Sequence, residues 1–338
     1  MSELTSSHIP VLLDEIVRAA DLTDGDVVVD GTFGAGGYSR GLLDGGNIRL
    51  IAIDRDPDAL ERSKVAMKGY EDRFQIIEGC FGNMDVLLKD AGHPLVDVVV
   101  LDIGVSSFQI DEAERGFSFM RDGPLDMRMS ATGLSAADVV NTWDEEELAN
   151  IIYKFGDEPR SRRIASAIVT ARETGPITRT LELGNIIQRA IGYGPARGRN
   201  ASRSSKGHSS KGKRKIHPAT KAFQALRIFV NDELGELGRG LIAAERLLKP
   251  GGRLLVVSFH SLEDRMVKSF MSERSGRVPA LSRHVPVSAV TGPEPTFSLL
   301  KKGAIKPSDE ETRQNPRSRS SRLRVAIRTD APEWEAAA

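Results

Sequence analysis

Acids stand at the ends of three apolar runs, and glycines crowd one of them. Val27-Val28-Val29 leads into Asp30-Gly31-Thr32-Phe33-Gly34-Ala35-Gly36-Gly37-Tyr38, Asp54 closes the run from Arg49, and Asp102 closes the run from Asp97. Glycines let a backbone turn tightly and approach a ligand closely. The unpaired N–H groups of a following helix suit a carboxylate or phosphate. A dinucleotide fingerprint G-x-G-x-x-G/A fails here, because counting from Gly34 the third position is Ser39. The pattern D-G-T-F-G-A-G-G is instead the type that serves S-adenosylmethionine, whose aminoacyl end has no pyrophosphate to cradle.

Asp54 has the right chemistry to accept hydrogen bonds from two ribose hydroxyls, or simply to cap the helix that Pro57 opens. Phe81 either packs on an adenine ring or belongs to the core. Asp102 lies where a transferred group would sit. His260 either faces the same crevice or starts a helix, bonded to backbone. Six histidines and the single Cys80 show no metal-ligand spacing, so no structural zinc is expected, and whether a metal assists the chemistry is left open.

These residues need a scaffold, and the chain supplies one. Strands are expected at 27–30, 49–54, 74–79 and 97–102, with helices between them. Continuous apolar strands alternating with helices indicate a parallel sheet covered on both faces. From 111 to 192 no buried strand is apparent, and helical periodicity runs over 145–155, 161–172 and 179–191. Residues 219–248 read as one helix ending at Pro250-Gly251-Gly252. Strand pattern returns at 253–259 and at 322–327, the latter alternating like an edge strand.

The expected fold is α/β, a doubly wound, mostly parallel Rossmann-like sheet with an inserted helical subdomain. Its expected parts are residues 1–110, an insertion over 111–215 ending in a basic loop at 194–215, a return to the sheet over 216–330, and a tail over 331–338.

Equal totals of 47 basic and 47 acidic residues conceal an uneven distribution. Arg197, Arg199, Arg203, Lys206, Lys211, Lys213, Arg214 and Lys215 fall in one short segment without an acid, leaving an acidic remainder. That asymmetry points to a polyanionic partner, against the alternative of a solvated linker. Arg115, Arg121 and Arg128 are further candidates for phosphate contacts. The lone cysteine fits a reducing cytoplasm. No apolar run reaches the roughly 20 residues that span a membrane, and the first ten residues lack a basic signal-peptide start.

Several longer stretches form one pattern: His8 to Glu15, Asp30 to Gly37, Ala52 to Pro57, Leu101 to Ser107, Ala113 to Phe119, Gly123 to Met129, His217 to Thr220, Ser258 to Arg265 and Asn315 to Ser320. Through them the chain closely resembles the ribosomal small-subunit methyltransferase H family, also called MraW, over nearly its whole length. The resemblance implies a cytoplasmic methyltransferase that uses S-adenosylmethionine on N4 of a cytidine in the decoding centre of 16S rRNA. It places cofactor contacts on Gly36, Gly37, Tyr38, Asp54, Phe81, Asp102 and Gln109. Tyr38 departs from the family's usual His, Phe108 and Cys80 from frequent prolines, and the basic segment enlarges a shorter family loop.

The resemblance leaves the proton acceptor open. Amino-methylating enzymes often carry an Asp/Asn/Ser-Pro-Pro-aromatic motif after the fourth strand, but Leu101-Asp102-Ile103-Gly104 stands there. Asp102 would accept the proton or only hold the cofactor. Two competing classes are a nicotinamide-dependent oxidoreductase, disfavoured by Ser39, and a ribosome-assembly factor without transfer activity. The cytosine itself must leave its stack to be reached.

Overall fold

The computed structural model describes residues 10–130, 132–192, 217, 219–277 and 293–334. The expected basic loop at 194–215, His8, Ile9 and Pro218 of the recurring stretches, and the end of the tail lie outside them. Among the described residues no helix is long and apolar enough to cross a membrane.

The chain divides into two compact units, residues 1–107 with 234–338, and residues 108–233. The first unit is built on a seven-stranded sheet. In chain order it holds α1 (Leu13–Ala20), β1 (Val27–Asp30), α2 (Gly37–Gly45), β2 (Arg49–Asp54), α3 (Pro57–Ala66), β3 (Phe74–Glu78), α4 (Met84–Asp90) and β4 (Val96–Asp102). The chain crosses to the second unit within α5 (Ser107–Asp111). There it forms α6 (Ala136–Thr142), α7 (Glu145–Gly156), α8 (Ser161–Arg172), α9 (Thr180–Ala190) and α10 (Ala219–Val230). It returns at the start of α11 (Glu233–Leu247) and ends with β5 (Leu248–Ser258), α12 (Ser261–Arg274), β6 (Phe297–Leu299), α13 (Asp309–Gln314) and β7 (Arg322–Arg328).

Strand order is β3-β2-β1-β4-β5-β7-β6. The first five strands are parallel, and β7 runs antiparallel to both β5 and β6. Alternate residues supply two cores, one on each face. Val28, Leu50, Val98 and Leu255 join α1 and α2 on one side. Val29, Ile51, Val99 and Leu254 join α4, α11 and α12 on the other. At about 1.5–3 kcal/mol for each large apolar side chain buried, such a sheet can carry buried acids at its edge.

Three local expectations change. The helix expected over 219–248 is two helices, broken where Asp232 takes a left-handed φ of 48°. Pro250-Gly251-Gly252 lies inside β5 as a bulge: Val96 pairs with Leu248 and Val98 already with Arg253. The run at 322–328 is no edge strand, because the three-residue β6 covers it.

The second unit packs α7 against α8 and α10. Leu148, Ile152, Ile164, Ile168, Leu183, Ile187 and Leu226 are fully buried. The segment from Ala113 to Met129 is held tightly against this bundle. Buried Asn231 donates to Met127 O and accepts from Met129 N at 2.8 Å each, which secures Met127 at a left-handed φ of 63°.

Candidate active site

In an open α/β sheet, ligands bind beyond the carboxyl ends of the strands where the order reverses, here between β1 and β4. Backbone bonds lay those ends side by side: Gly31 N donates to Val100 O, Phe33 N to Ile53 O, and Gly79 N to Asp54 O. Asp54, Asp30 with its glycine turn, and Asp102 are thereby brought to one edge. Phe81 follows β3 there, packed against Gly240 of α11 and partly in the core. Gln109 lies in the second unit, buried in α5.

The glycine turn is held from several directions. Gly34 N donates to Asp54 Oδ2 at 2.7 Å, and Asp56 N to Asp54 Oδ1 at 2.8 Å. Each carboxylate oxygen has a second lone pair left to offer. Gly36 has a φ of 75°, and a Cβ there would lie 2.7 Å from Phe33 Cζ. A Cβ on Gly37 would lie 2.4 Å from Pro10 Cγ. Tyr38 points inward, and its phenol donates to Val11 O at 2.5 Å. Glu311 Oε1 in turn accepts from Leu12 N at 2.7 Å. The late Asn315 to Ser320 stretch, which follows Glu311 in sequence, is held by its own bonds: Asn315 Oδ1 accepts from Arg317 N, and Ser318 is fully buried.

Electrostatics set this edge apart. Asp30 is fully buried and accepts from Thr32 N at 3.1 Å and Ser39 Oγ at 2.7 Å. Burial nevertheless pushes its carboxyl up to about 6. Asp102 rises well above the usual carboxylate range, through burial and then through the charges of Asp30 and Glu263. Its Oδ1 is shut off from solvent without a hydrogen-bond partner. Burial also raises Asp54, against the N–H groups of Asp56 and Gly34 that favour its charge. The Tyr38 phenol is lifted by burial and by Asp102 and Asp30. Acids that strain against one another in this way suit a cationic ligand, because a positive charge among them relieves both burial and repulsion.

Three contributors escaped the sequence reading. Ser39, conspicuous only for breaking a fingerprint, donates to Asp30. Thr32 Oγ1 accepts from Asp102 N at 2.6 Å, tying the turn to the end of β4. Glu263 is fully buried, and its Oε2 accepts from Phe259 N at 2.8 Å and His260 N at 3.1 Å. An acid then glycines is a visible signal; a hydroxyl matters here only through tertiary geometry. His260 is the N-cap of α12, its Nδ1 accepting from Glu263 N at 3.4 Å. Arg115 and Arg128 are largely occupied at home: Arg115 donates to the carbonyls of Arg128 and Met129, and Arg128 pairs with Asp126 at 2.6 Å.

The model of the MraW methylase family matches residues 5–329. The "Ribosomal RNA small subunit methyltransferase H" of Caulobacter vibrioides is 55% identical over 330 residues, covering 98% of each chain. That of Paramagnetospirillum magneticum is 55% identical over 328 residues, covering 97% of this chain and 98% of its own. Among solved structures, the precorrin-6y C5,15-methyltransferase of Geobacter metallireducens aligns with 10% identity and a TM-score of 0.40, covering 97% of this chain and 94% of its own. The chain belongs to the MraW methylase family and is an S-adenosylmethionine-dependent methyltransferase.

Proposed function

We propose that the chain methylates N4 of a cytidine in 16S rRNA of the small ribosomal subunit, in the cytoplasm. Gly36, Gly37, Tyr38, Asp54, Phe81, Asp102 and Gln109 are the cofactor contacts in this reading, and the unit from 108 to 233 recognises the RNA. Kinship with relatives named for ribosomal small-subunit RNA, at more than half identity over 97–98% of the chain, supports an rRNA acceptor. The observation that carries the site is the group of buried acids at the β1/β4 edge, where Asp102 Oδ1 lacks a partner. These residues fit the cofactor: Asp54 offers lone pairs to ribose hydroxyls, and Asp30 and Asp102 offer negative charge to a sulfonium and an ammonium group.

When bound, S-adenosylmethionine supplies an electrophilic methyl group. The remaining demands fall on the protein. Cytosine N4 is a weak nucleophile, since its lone pair is delocalised into the ring, so much of the acceleration comes from holding the reactants in line. Positive charge grows on N4 as the new bond forms, and a proton must then leave. Asp102 is the acceptor we assign, because its Oδ1 is buried at the end of β4 without a hydrogen-bond partner and, ionised beside the cofactor's positive charge, has a lone pair to receive the proton. Thr32 and Ser39 position that edge through the Asp102 amide and the Asp30 carboxylate.

Incubation with methyl-labelled S-adenosylmethionine and small subunits lacking the modification, followed by mass spectrometry of nuclease fragments, tests the reaction. Label on N4 of a single 16S cytidine is expected. A carbon-linked methyl, or label on another base, would overturn it.

A further inference from the structure

The second unit carries an aromatic side chain that its core does not use. Tyr153 is 62% exposed on α7, although Leu148, Ala149, Ile151 and Ile152 of the same helix are buried. Asn150 and Lys154 are exposed beside it; residues three and four apart share a helix face. Arg162 reaches this face from α8, its Nη2 donating to Asn150 Oδ1 at 2.9 Å. Arg163 is exposed next to it, and Arg160 stands at the N-cap, its Nη1 donating to Ile191 O at 2.9 Å.

The charges are placed against local preference. The first turn of α8 holds no acid, and Arg160 provides no side-chain cap. Cations at the positive end of a helix are unfavourable, so helix stability does not account for three arginines there. Glu146 lies one turn before Asn150 on α7, and Asp157 and Glu158 follow that helix. Glu158 is buried and turned inward, accepting from Arg160 N at 3.0 Å. The exposed end of this surface therefore pairs an aromatic ring with guanidinium and ammonium groups. The cationic run that starts at Arg197 also follows soon after Ile191 in sequence.

We infer that Tyr153, Lys154, Arg162 and Arg163 form a docking surface for a single-stranded segment of the RNA substrate. A base stacks on the Tyr153 ring while the cations meet flanking phosphates. Stacking on an exposed aromatic with basic neighbours is how proteins hold unpaired nucleotides. A protein partner would favour an apolar centre, whereas the exposed residues near Tyr153 are Asn150, Lys154 and Arg162, with Asp157 as an exposed acid at the helix end. This inference rests on the proposed RNA substrate and adds where that RNA is gripped. It makes Tyr153 a positioning residue.

The test compares wild type with Tyr153→Ala, Tyr153→Trp and the Arg162→Ala/Arg163→Ala double variant, on unmodified small subunits and on protein-free 16S rRNA. Tyr153→Ala is expected to raise KM about tenfold, with kcat at saturating RNA and affinity for S-adenosylhomocysteine unchanged, and Tyr153→Trp to restore KM. The double variant should flatten the dependence of log affinity on log salt by about one to two counter-ions. Unchanged KM and salt slope in both variants would overturn the inference. Weakening on intact subunits but not on protein-free RNA would assign the surface to a ribosomal protein and overturn it equally. Failure of the wild type to bind or methylate either RNA would instead remove the proposed substrate itself.

Discussion

Two glycine-bearing segments serve opposite ends. In the turn from Gly31 to Gly37, an added Cβ would meet side chains: Leu101 at 2.5 Å, Phe33 at 2.7 Å, Pro10 at 2.4 Å. In the segment from Gly116 to Gly123 it would meet backbone: Pro124 O at 2.2 Å and Ala113 O at 1.8 Å. The far end of a side chain can move aside; a carbonyl built into a crowded loop cannot. The first segment keeps its backbone accessible at the strand edge, and the second uses glycine to press the chain against itself. Thr180 Oγ1, accepting from Gly123 N and donating to Arg121 O, closes that second knot. Short runs of glycine therefore mark close approach in general, and only the identity of the neighbour tells ligand from self.

The comparison is broken most directly by substituting its glycines. Gly123→Ala should cost about 4 kcal/mol or more, the range reserved for severe steric conflict. Gly37→Ala should cost about 1–3 kcal/mol as an overpacked site, while weakening cofactor binding. Denaturant titration measures both, and equal losses would erase the distinction.

Next in size is Asp54→Ala, which leaves the N–H groups of Gly34 and Asp56 without acceptors at about 1–3 kcal/mol each. Affinity for S-adenosylhomocysteine, read by calorimetry, should fall more than tenfold. Retained affinity would remove Asp54 from the site.

Protonation sharpens the contrast further. The carboxyl of Asp30 is raised from 3.8 to about 6 in the folded chain. Its favourable contribution is therefore complete below about pH 4 and lost as pH climbs through about 6, a change of about 3 kcal/mol in the absence of ligand. Asp30→Asn should remove that slope from stability measured against pH. A cationic ligand favours the ionised acids, so affinity for S-adenosylmethionine should rise between pH 5 and 7 relative to S-adenosylhomocysteine. A constant ratio would mean that the acids do not face the sulfonium. Smallest of all, Ser39→Ala should cost about 1 kcal/mol and lift the Asp30 carboxyl higher, moving the midpoint of that profile upward.

Where an apolar strand ran into an acid, the register of Asp30, Asp54 and Asp102 was legible, because buried parallel strands leave a long uninterrupted signature. The break at Asp232 was not, since apolar periodicity continues through Asn231 and Asp232 and only backbone geometry interrupts it. Pro250-Gly251-Gly252 resembled a loop but forms a bulge, as proline and glycine signal local conformation and say nothing of pairing. The position of β7 depended on the short β6, whose three residues carry no readable period. Thr32 was invisible for another reason: its hydroxyl acts through a hydrogen bond to Asp102, 70 positions along the chain. Glu263 bonds locally, to Phe259 N and His260 N, and only its complete burial near Asp102 gives it weight.

The bond from Leu12 N to Glu311 spans 299 positions, and it bears on synthesis at the ribosome. Pro10 and Val11 brace Gly37 and Tyr38, yet the carboxylate that fixes Leu12 is made 299 residues later. A nascent chain can lay down β1 to β4 early, but the brace behind its glycine turn waits for residue 311, as does the antiparallel strand β7 beside β5. Contacts of such sequence separation are formed late and slowly. Truncated products ending before α13 would thus hold the early strands with a loosely braced glycine turn, so that residue 311 must be made before that turn is fixed.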